Sequence, residues 1–378
     1  MSYLHELWLA DFCGFEPEQI HKCIEIFKSA EEAFDAKPSQ LRALERLGIG
    51  KGRKIRKTLE IAEDIAEIAQ KRGIDIMTIS DSDYPESLKN IYMPPRVLFI
   101  KGERINLNNY LPFTVVGTRR PTQNGRKIAS LIASKLTSCG FLIVSGMAEG
   151  IDAAAGKGAL SVGGKTIAVL AGGADIVYPA INQDLYDKIV KNGAIVSERP
   201  PGTIGKPYFY QQKNRIVAGL SKGTLVVEGK NPSGSALTAK HADENNRDLF
   251  AVPGSPLLPQ SQLPNDLIAT GAKIVRSPLD IIDTYASVYP ELLGNGIKLI
   301  SSQKEKNVPS FECNIDKTDK IIIDYIEKRG ESVSPDEICE ACRIQIGTVL
   351  SRLTILMLNG TLTQETGNKY SISGGLKS

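Results

Sequence analysis

The sequence predicts an α/β fold: a mostly parallel sheet covered on both faces, an all-helical segment before it, and a small domain of helices and a hairpin after it. Three observations predict this. Between residues 113 and 276, seven short apolar runs alternate with helical stretches: FTVVG (113–117), FLIVSG (141–146), TIAVLAGG (166–173), AIVSE (194–198), TLVVEG (224–229), LFAVPG (249–254) and AKIVR (272–276). Runs that are apolar throughout suit strands buried on both faces, and helix-length connections suit parallel pairing. Before them, up to about Gly73, apolar residues recur at helical spacing instead, as in Ile55, Leu59, Ala62, Ile65, Ala66 and Ala69. After them, three helical patterns are followed by an Asn359-Gly360 turn and a hairpin ending at KYSI.

The expected boundaries are 1–75 for the helical segment, 76–287 for the sheet domain, 288–316 for a linker and 317–378 for the tail domain. In the first, LGIGKGRK (Leu47 to Lys54) has the alternating apolar-Gly pattern of a helix-hairpin-helix turn, where tight glycines let backbone N–H groups approach a phosphate. A plain interhelical turn is the other reading. DSDYPESLKNIYMPPRVLFIKG (81–102) reads as a connecting segment. The linker is marked by YPELLGNG and SSQKEKNVPS, rich in breakers and polar residues. In the tail, a helix from about Thr318, a start at Ser334-Pro335, a third helix over Gln345 to Leu358 and the hairpin follow the winged-helix order.

Composition narrows the function classes. With 378 residues, 42% hydrophobic and 24% charged, the chain has an ordinary globular make-up. A net charge of +3 is too small to advertise a polyanion partner, so the distribution decides. Residues 112–165 carry Arg119, Arg120, Arg126, Lys127, Lys135, Lys157 and Lys165 against only Glu149 and Asp152, and KGRKIRK (51–57) adds a second basic run. The tail is the opposite: Lys317, Lys320, Lys328, Arg329, Arg343, Arg352 and Lys369 face eight acidic residues between 317 and 370. Six cysteines without a spaced framework, and a start broken by His5, Glu6 and Asp11, point to reducing cytoplasm. No apolar run approaches the ~18 residues of a membrane span. The Cys339-x-x-Cys342 pair has no second pair or neighbouring histidine, and the three histidines make no ligand or triad spacing, so no metal or cofactor is expected.

Motifs that suit phosphate lie at the strand ends. In VVGTRRPTQNGRK, Gly117 lets the backbone approach a ligand, Arg119 and Arg120 stand where the strand end meets the crevice, and Pro121 is read as the start of the next helix. SGMAEGIDAAAGKGAL repeats the logic with Ser145 and Gly146, while Glu149 and Asp152 are read as structural. In KNPSGSALTAKHA, Ser233, Gly234 and Ser235 open a helix just past a strand, which clusters hydroxyls and free N–H groups. Upstream, YFYQQKNR offers Tyr208, Phe209 and Tyr210 for stacking, one of them expected in the core, and Lys213 and Arg215 for phosphates. GKGALSVGGKT is not a phosphate loop: five residues separate Gly158 from Gly164 where that loop has four, and the order is helix to strand.

Together these residues closely resemble the bacterial DNA-processing protein A family (DprA, also called Smf). The match runs in order from YPESLKNIYMPPRVLFIKG through VGTRRP, SGMAEGIDAAA, TIAVLAGGADIVYP, GAIVSERPPGT, NRIVAGLS, SGSALTA and AVPGS to DLIATGAKIV, roughly residues 83–285. The resemblance implies a Rossmann-like domain, with a SAM- or helix-hairpin-helix-like front and a winged-helix tail. It also implies sequence-independent binding of single-stranded DNA, a homodimer with its face near Leu263 to Ala272, and delivery of the strand to the RecA recombinase in natural transformation. No catalysis is implied. The expected DNA-contacting residues are Gly117, Arg119, Arg120, Ser145, Gly146, Lys206, Tyr210, Lys213, Asn214, Arg215, Ser233, Gly234 and Ser235. The chain departs from the family pattern at Gly156, where histidine is common, and at Tyr210, Gln211 and Lys213, where Phe-Pro and arginine are common. A rival from another class is a nucleoside-monophosphate hydrolase of the lysine-decarboxylase-like group, but AGGADIVYP lacks the Gly-Thr and glutamate of that group's loop. A third reading makes the tail a sequence-specific repressor, against which its charge balance argues.

Overall fold

The computed structural model describes residues 2–45, 48, 58–293, 317–358, 361–365 and 367–372. Two compact units divide the chain, Met1–Ile300 and Ser301–Ser378. The first opens with helices α1 (Ser2–Phe12), α2 (Pro17–Phe27), α3 (Ala30–Asp35), α4 (Pro38–Glu45) and α5 (Glu60–Lys71). Ile55 and, Gly48 apart, the LGIGKGRK turn lie outside the described residues. The apolar stripe of α1 folds this front together: Trp8 stacks on Phe12 at 5.5 Å and meets Phe34 edge-on at 5.1 Å. Leu7, Leu9 and Phe12 belong to one continuous apolar cluster with Phe99, Leu170 and Ile195 of the sheet, so the helical front has no core of its own.

The sheet has nine strands: β1 (Ile74–Thr78), β2 (Val97–Gly102), β3 (Leu111–Val116), β4 (Phe141–Ser145), β5 (Thr166–Leu170), β6 (Ala194–Ser197), β7 (Gly223–Val226), β8 (Asp248–Ala251) and β9 (Lys273–Ile274). Their order is β1-β2-β6-β5-β4-β3-β7-β8-β9. From β6 to β9 every pairing is parallel, which gives each of the seven expected apolar runs its strand. The expectation for 81–102 needs correction. That segment ends in β2, which pairs antiparallel with β6 and with β1, so the sheet carries an antiparallel edge of two strands.

Helices α6 (Glu86–Lys89), α7 (Gln123–Ser138), α8 (Ile151–Ser161), α9 (Gln183–Asn192), α10 (Pro207–Leu220), α11 (Gly234–Glu244), α12 (Gln262–Ala269) and α13 (Pro278–Ala286) cover it. Alternation along β3 assigns the faces. Leu111, Phe113 and Val115 pack with Ile132 and Leu136 of α7 and Ile281 of α13. Val116 joins Leu142 and Val144 of β4 against Ile216, Val217 and Leu220 of α10. Pro121 does not begin α7. Thr122 caps it instead, its hydroxyl accepting from Gly125 N at 2.9 Å, so the loop after β3 is two residues longer before the helix.

The second unit contains α14 (Lys317–Arg329), α15 (Pro335–Cys342) and α16 (Ile346–Leu358), then the hairpin of β10 (Leu362–Glu365) and β11 (Lys369–Ile372). Ser334 and Glu337 form a capping box at the start of α15. Val349, Leu353 and Leu356 of α16 are buried, whereas Ile346 and Leu350 of the same apolar face are exposed. Arg352, the one cation of α16, pairs with Asp319 through two hydrogen bonds of 2.6 and 2.5 Å. No helix among the described residues is long and apolar enough to cross a membrane.

Candidate nucleic-acid interface

The chain lays down β3, β4, β5 and β6 in one direction and then returns to place β7 on the other side of β3. Loops leaving β3 and β7 therefore diverge, and the crevice between them is where ligands gather in such sheets. A cleft of about 680 Å³ opens there. Ten of the expected residues line it: Gly117, Arg119, Arg120, Gly146, Tyr210, Lys213, Asn214, Ser233, Gly234 and Ser235.

The loop after β3 is fastened on both sides. Thr118 donates its N–H to Glu228 O at 2.7 Å and accepts at its own carbonyl from Ile151 N at 3.2 Å. Gly117 permits this closeness, since a methyl there would sit 2.6 Å from Ile151 Cγ1 and 2.7 Å from Glu228 O. The Glu228 carboxylate accepts from the Thr122 N–H at 2.9 Å and the Thr122 hydroxyl at 2.6 Å. An internal anion thus fills the start of α7 and presents Arg119 and Arg120, both exposed, to the cleft.

The start of α11 is different. Ser233 caps it by accepting from Ala236 N at 3.1 Å, and Asn214 steadies it by donating to Gly234 O at 3.1 Å. A methyl built on Gly234 would meet nothing nearer than Asn214 Nδ2 at 3.9 Å, so this helix N-terminus faces open space. Its free N–H groups and hydroxyls can receive an anion.

Helix α10 supplies the third wall. Tyr210, Lys213, Asn214 and Val217 fall at i, i+3, i+4 and i+7, one face of the helix, and all line the cleft. Lys213 donates from Nζ to Gly146 O at 3.0 Å and Val169 O at 3.1 Å. Burial pushes its ammonium down to about 8; nearby Asp152 opposes that shift and Arg119 adds to it. Asp152 is buried and accepts from Gly146 N at 3.0 Å, the structural role expected for it. Burial raises its carboxyl, against the pull of Lys213 and of backbone N–H groups. Tyr210 meets Tyr178 edge-on at 5.6 Å, and the Arg119 guanidinium lies 5.7 Å from the centre of the Tyr210 ring.

Three expected residues are elsewhere. Arg215 points away from the cleft: it is buried, ion-paired with Glu198 at 2.6 Å, and donates to Met93 O at 3.0 Å. The helical phase that turns Lys213 and Asn214 to the cleft carries the next residue round to the sheet side, so Arg215 is corrected from phosphate contact to structural anchor. Ser145 is buried at the end of β4, and Lys206 is exposed beside Phe209 at 5.7 Å without lining the cleft. Phe209 is the core member of the aromatic trio, under the Arg199 guanidinium at 3.8 Å. Conversely, Tyr178 and Lys230 line the cleft unannounced. Lys165 of the rejected phosphate-loop pattern pairs with Glu103 at 2.5 Å. Among the described residues no group of three or more His, Cys, Asp or Glu side chains could hold a metal ion.

This arrangement can be set beside known proteins. Residues 75–286 match the family model described as DNA recombination-mediator protein A. The chain belongs to that family. Protein Smf of Synechocystis is 32% identical over 390 residues, covering 96% of this chain and 97% of its own. DNA processing protein DprA of Bacillus subtilis is 41% identical over 214 residues, 57% of this chain and 72% of its own. Among solved structures, DNA processing protein A from Streptococcus pneumoniae superposes with a TM-score of 0.63 at 32% identity, covering 74% of this chain and 97% of that one. DNA processing protein A from Helicobacter pylori, whose structure is described as revealing a unique single-stranded DNA binding mode, gives 0.52 at 28% identity over 57% of this chain and 97% of that one. Every residue lining the cleft lies within the span that matches the recombination-mediator family.

Proposed function

We propose that this protein binds single-stranded DNA without sequence preference in the cleft between the β3 and β7 loops, and that it does so as a non-catalytic cytoplasmic mediator. The observation that carries the reading is the convergence of Arg119, Arg120, Lys213 and Lys230 with Tyr178, Tyr210 and the open N-terminus of α11 in one cleft. Cations take the phosphates, and rings stack on whatever base is presented, which leaves affinity indifferent to sequence. The single-strand binding mode of the Helicobacter pylori relative supports it. Delivery to the RecA recombinase and homodimerisation belong to the same proposal. Exposed Leu257, Leu258 and Ile274 flank the 263–272 segment where the partner copy is expected.

Fluorescence anisotropy with a labelled oligo-dA strand and its duplex tests the first part: tighter single-strand binding supports it, and equal affinity at matched salt defeats it. Turnover of AMP would install the hydrolase reading in its place. A RecA strand-exchange assay in which the protein leaves the rate unchanged would remove the delivery step.

A further inference from the structure

We infer that Glu16, in the helical front and outside the cleft, is a positioning residue for strand binding: it clamps the first turn of α10 and so sets Tyr210 and Lys213 against the strand. The inference rests on the single-strand reading. Pro207 opens α10 and Lys206 at its N-cap makes no side-chain capping bond, so the side-chain hold on its first turn comes from outside the helix. That turn carries Tyr208 and Phe209 on the side facing the front, with Gln212 one turn later.

Tyr208 and Gln212 are gripped from the α1–α2 turn, and Phe209 by Arg199, which bonds the same turn. Glu16 Oε2 accepts from Gln212 Nε2 at 2.9 Å, and its Oε1 accepts from the Tyr208 hydroxyl at 3.4 Å. Arg199, buried, bonds to Phe15 O, lies 3.5 Å from Glu16 Oε1, bonds to Gln212 Oε1, and stacks on Phe209. Glu16 stands at the N-cap of α2 and makes no side-chain bond to its own helix. Its hydrogen-bonding capacity goes to α10 instead. Cleft residues Tyr210 and Lys213 are on the opposite side of the same turn, so a slackened clamp lets the helix end roll and misplaces both.

Electrostatics gives the test a decisive sign. Removing a carboxylate near a cleft that holds a polyanion should by charge alone tighten binding; loss of positioning should weaken it. With the full chain and a labelled oligo-dA strand, Glu16→Ala is expected to weaken binding about twelvefold, the lower end of what one hydrogen bond to a charged group is worth. The slope of log affinity against log salt should flatten, by about 0.7 for each phosphate the cleft no longer holds. Glu16→Gln, which keeps an acceptor for Tyr208 and Gln212, should stay within about twofold. Gln212→Ala should reproduce the loss even if Glu16→Ala folds poorly, and the double variant should lose no more than either single one, as expected of partners in one contact. Binding by both single variants as tight as the unaltered chain, or tighter, overturns the clamp, and so does a weakening with unchanged salt slope. If Arg119→Ala weakens binding while both clamp variants do not, the clamp falls and the single-strand reading stands. If the unaltered chain does not bind the strand, both fall.

Discussion

Strand binding should fade between pH 7 and 9, because the cleft holds a lysine that titrates there. Lys213 sits at about 8, pushed down by burial. A phosphate beside the ammonium returns the desolvation cost and holds the proton, so the strand binds the protonated form. At pH 7 about nine-tenths of such a group is protonated and at pH 9 about one-tenth, which makes the expected loss about ninefold, or roughly 1.3 kcal/mol. The assay is anisotropy against oligo-dA, since adenine carries no group that titrates in this window. Lys213→Arg supplies the control, because a guanidinium stays charged throughout; its absolute affinity can fall in the confined site, but its profile should be flat. Stability should move the other way. The unfolded chain keeps the lysine proton up to ~10.4, so between about 8 and that value it binds more protons than the folded chain, and the free energy of unfolding rises with pH. A flat profile for the unaltered chain, or an equal decline in Lys213→Arg, would refute the assignment of Lys213 to a phosphate.

The other expectations follow from single contacts. Gly234→Val should leave the thermal midpoint nearly unchanged, because the protein leaves open space at that position, yet weaken strand binding severalfold by narrowing the anion seat. Arg215→Met should destabilise the fold by about 3–5 kcal/mol in urea unfolding, since it strands buried Glu198 without its partner; Arg119→Ala, exposed, should change stability little. Glu228→Ala should cost about 1–2 kcal/mol of stability by removing both hydrogen bonds that hold the capping residue Thr122, and should flatten the salt slope as Arg119 and Arg120 lose their fixed loop. A chain ending at residue 308 should bind a single strand within about threefold of the full chain, under 1 kcal/mol, because the α16 cation Arg352 is already held by Asp319.

How much of this was legible depended on whether the cause was local. The seven parallel strands announce themselves as short apolar runs, β3 to β7 buried along their whole length, and strand-end cations follow from where those runs stop. β1 and β2 do not. IDIMT mixes Asp75 into a run with only three buried positions, and the VLFI of β2 follows Pro94-Pro95, so it reads as the exit of a loop. Arg215 misled for a different reason: its partner Glu198 is on another element, and Lys213-Asn214-Arg215 looks like one cationic cluster until helical phase separates it. Phase could have been applied from Pro207 onward. Tyr178 could not have been found so, since its place in the cleft depends on the path of the loop after β5. The clamp on α10 was equally hidden, because Glu16 is 196 residues from Gln212.

The placement of β7 beside β3 also sets a schedule for synthesis. Phe113 pairs with Gly223, so the central strand of the sheet must wait for a segment 110 residues further along the chain. At about 5–20 residues per second a ribosome takes roughly 5–20 s to deliver it. During that interval β3 to β6 can form a half-sheet whose β3 edge, apolar and unpaired, is a template for any other strand. The nascent chain is therefore most vulnerable to misassembly just before its cleft exists, and a holdase that recognises extended apolar segments would have its natural moment of engagement there.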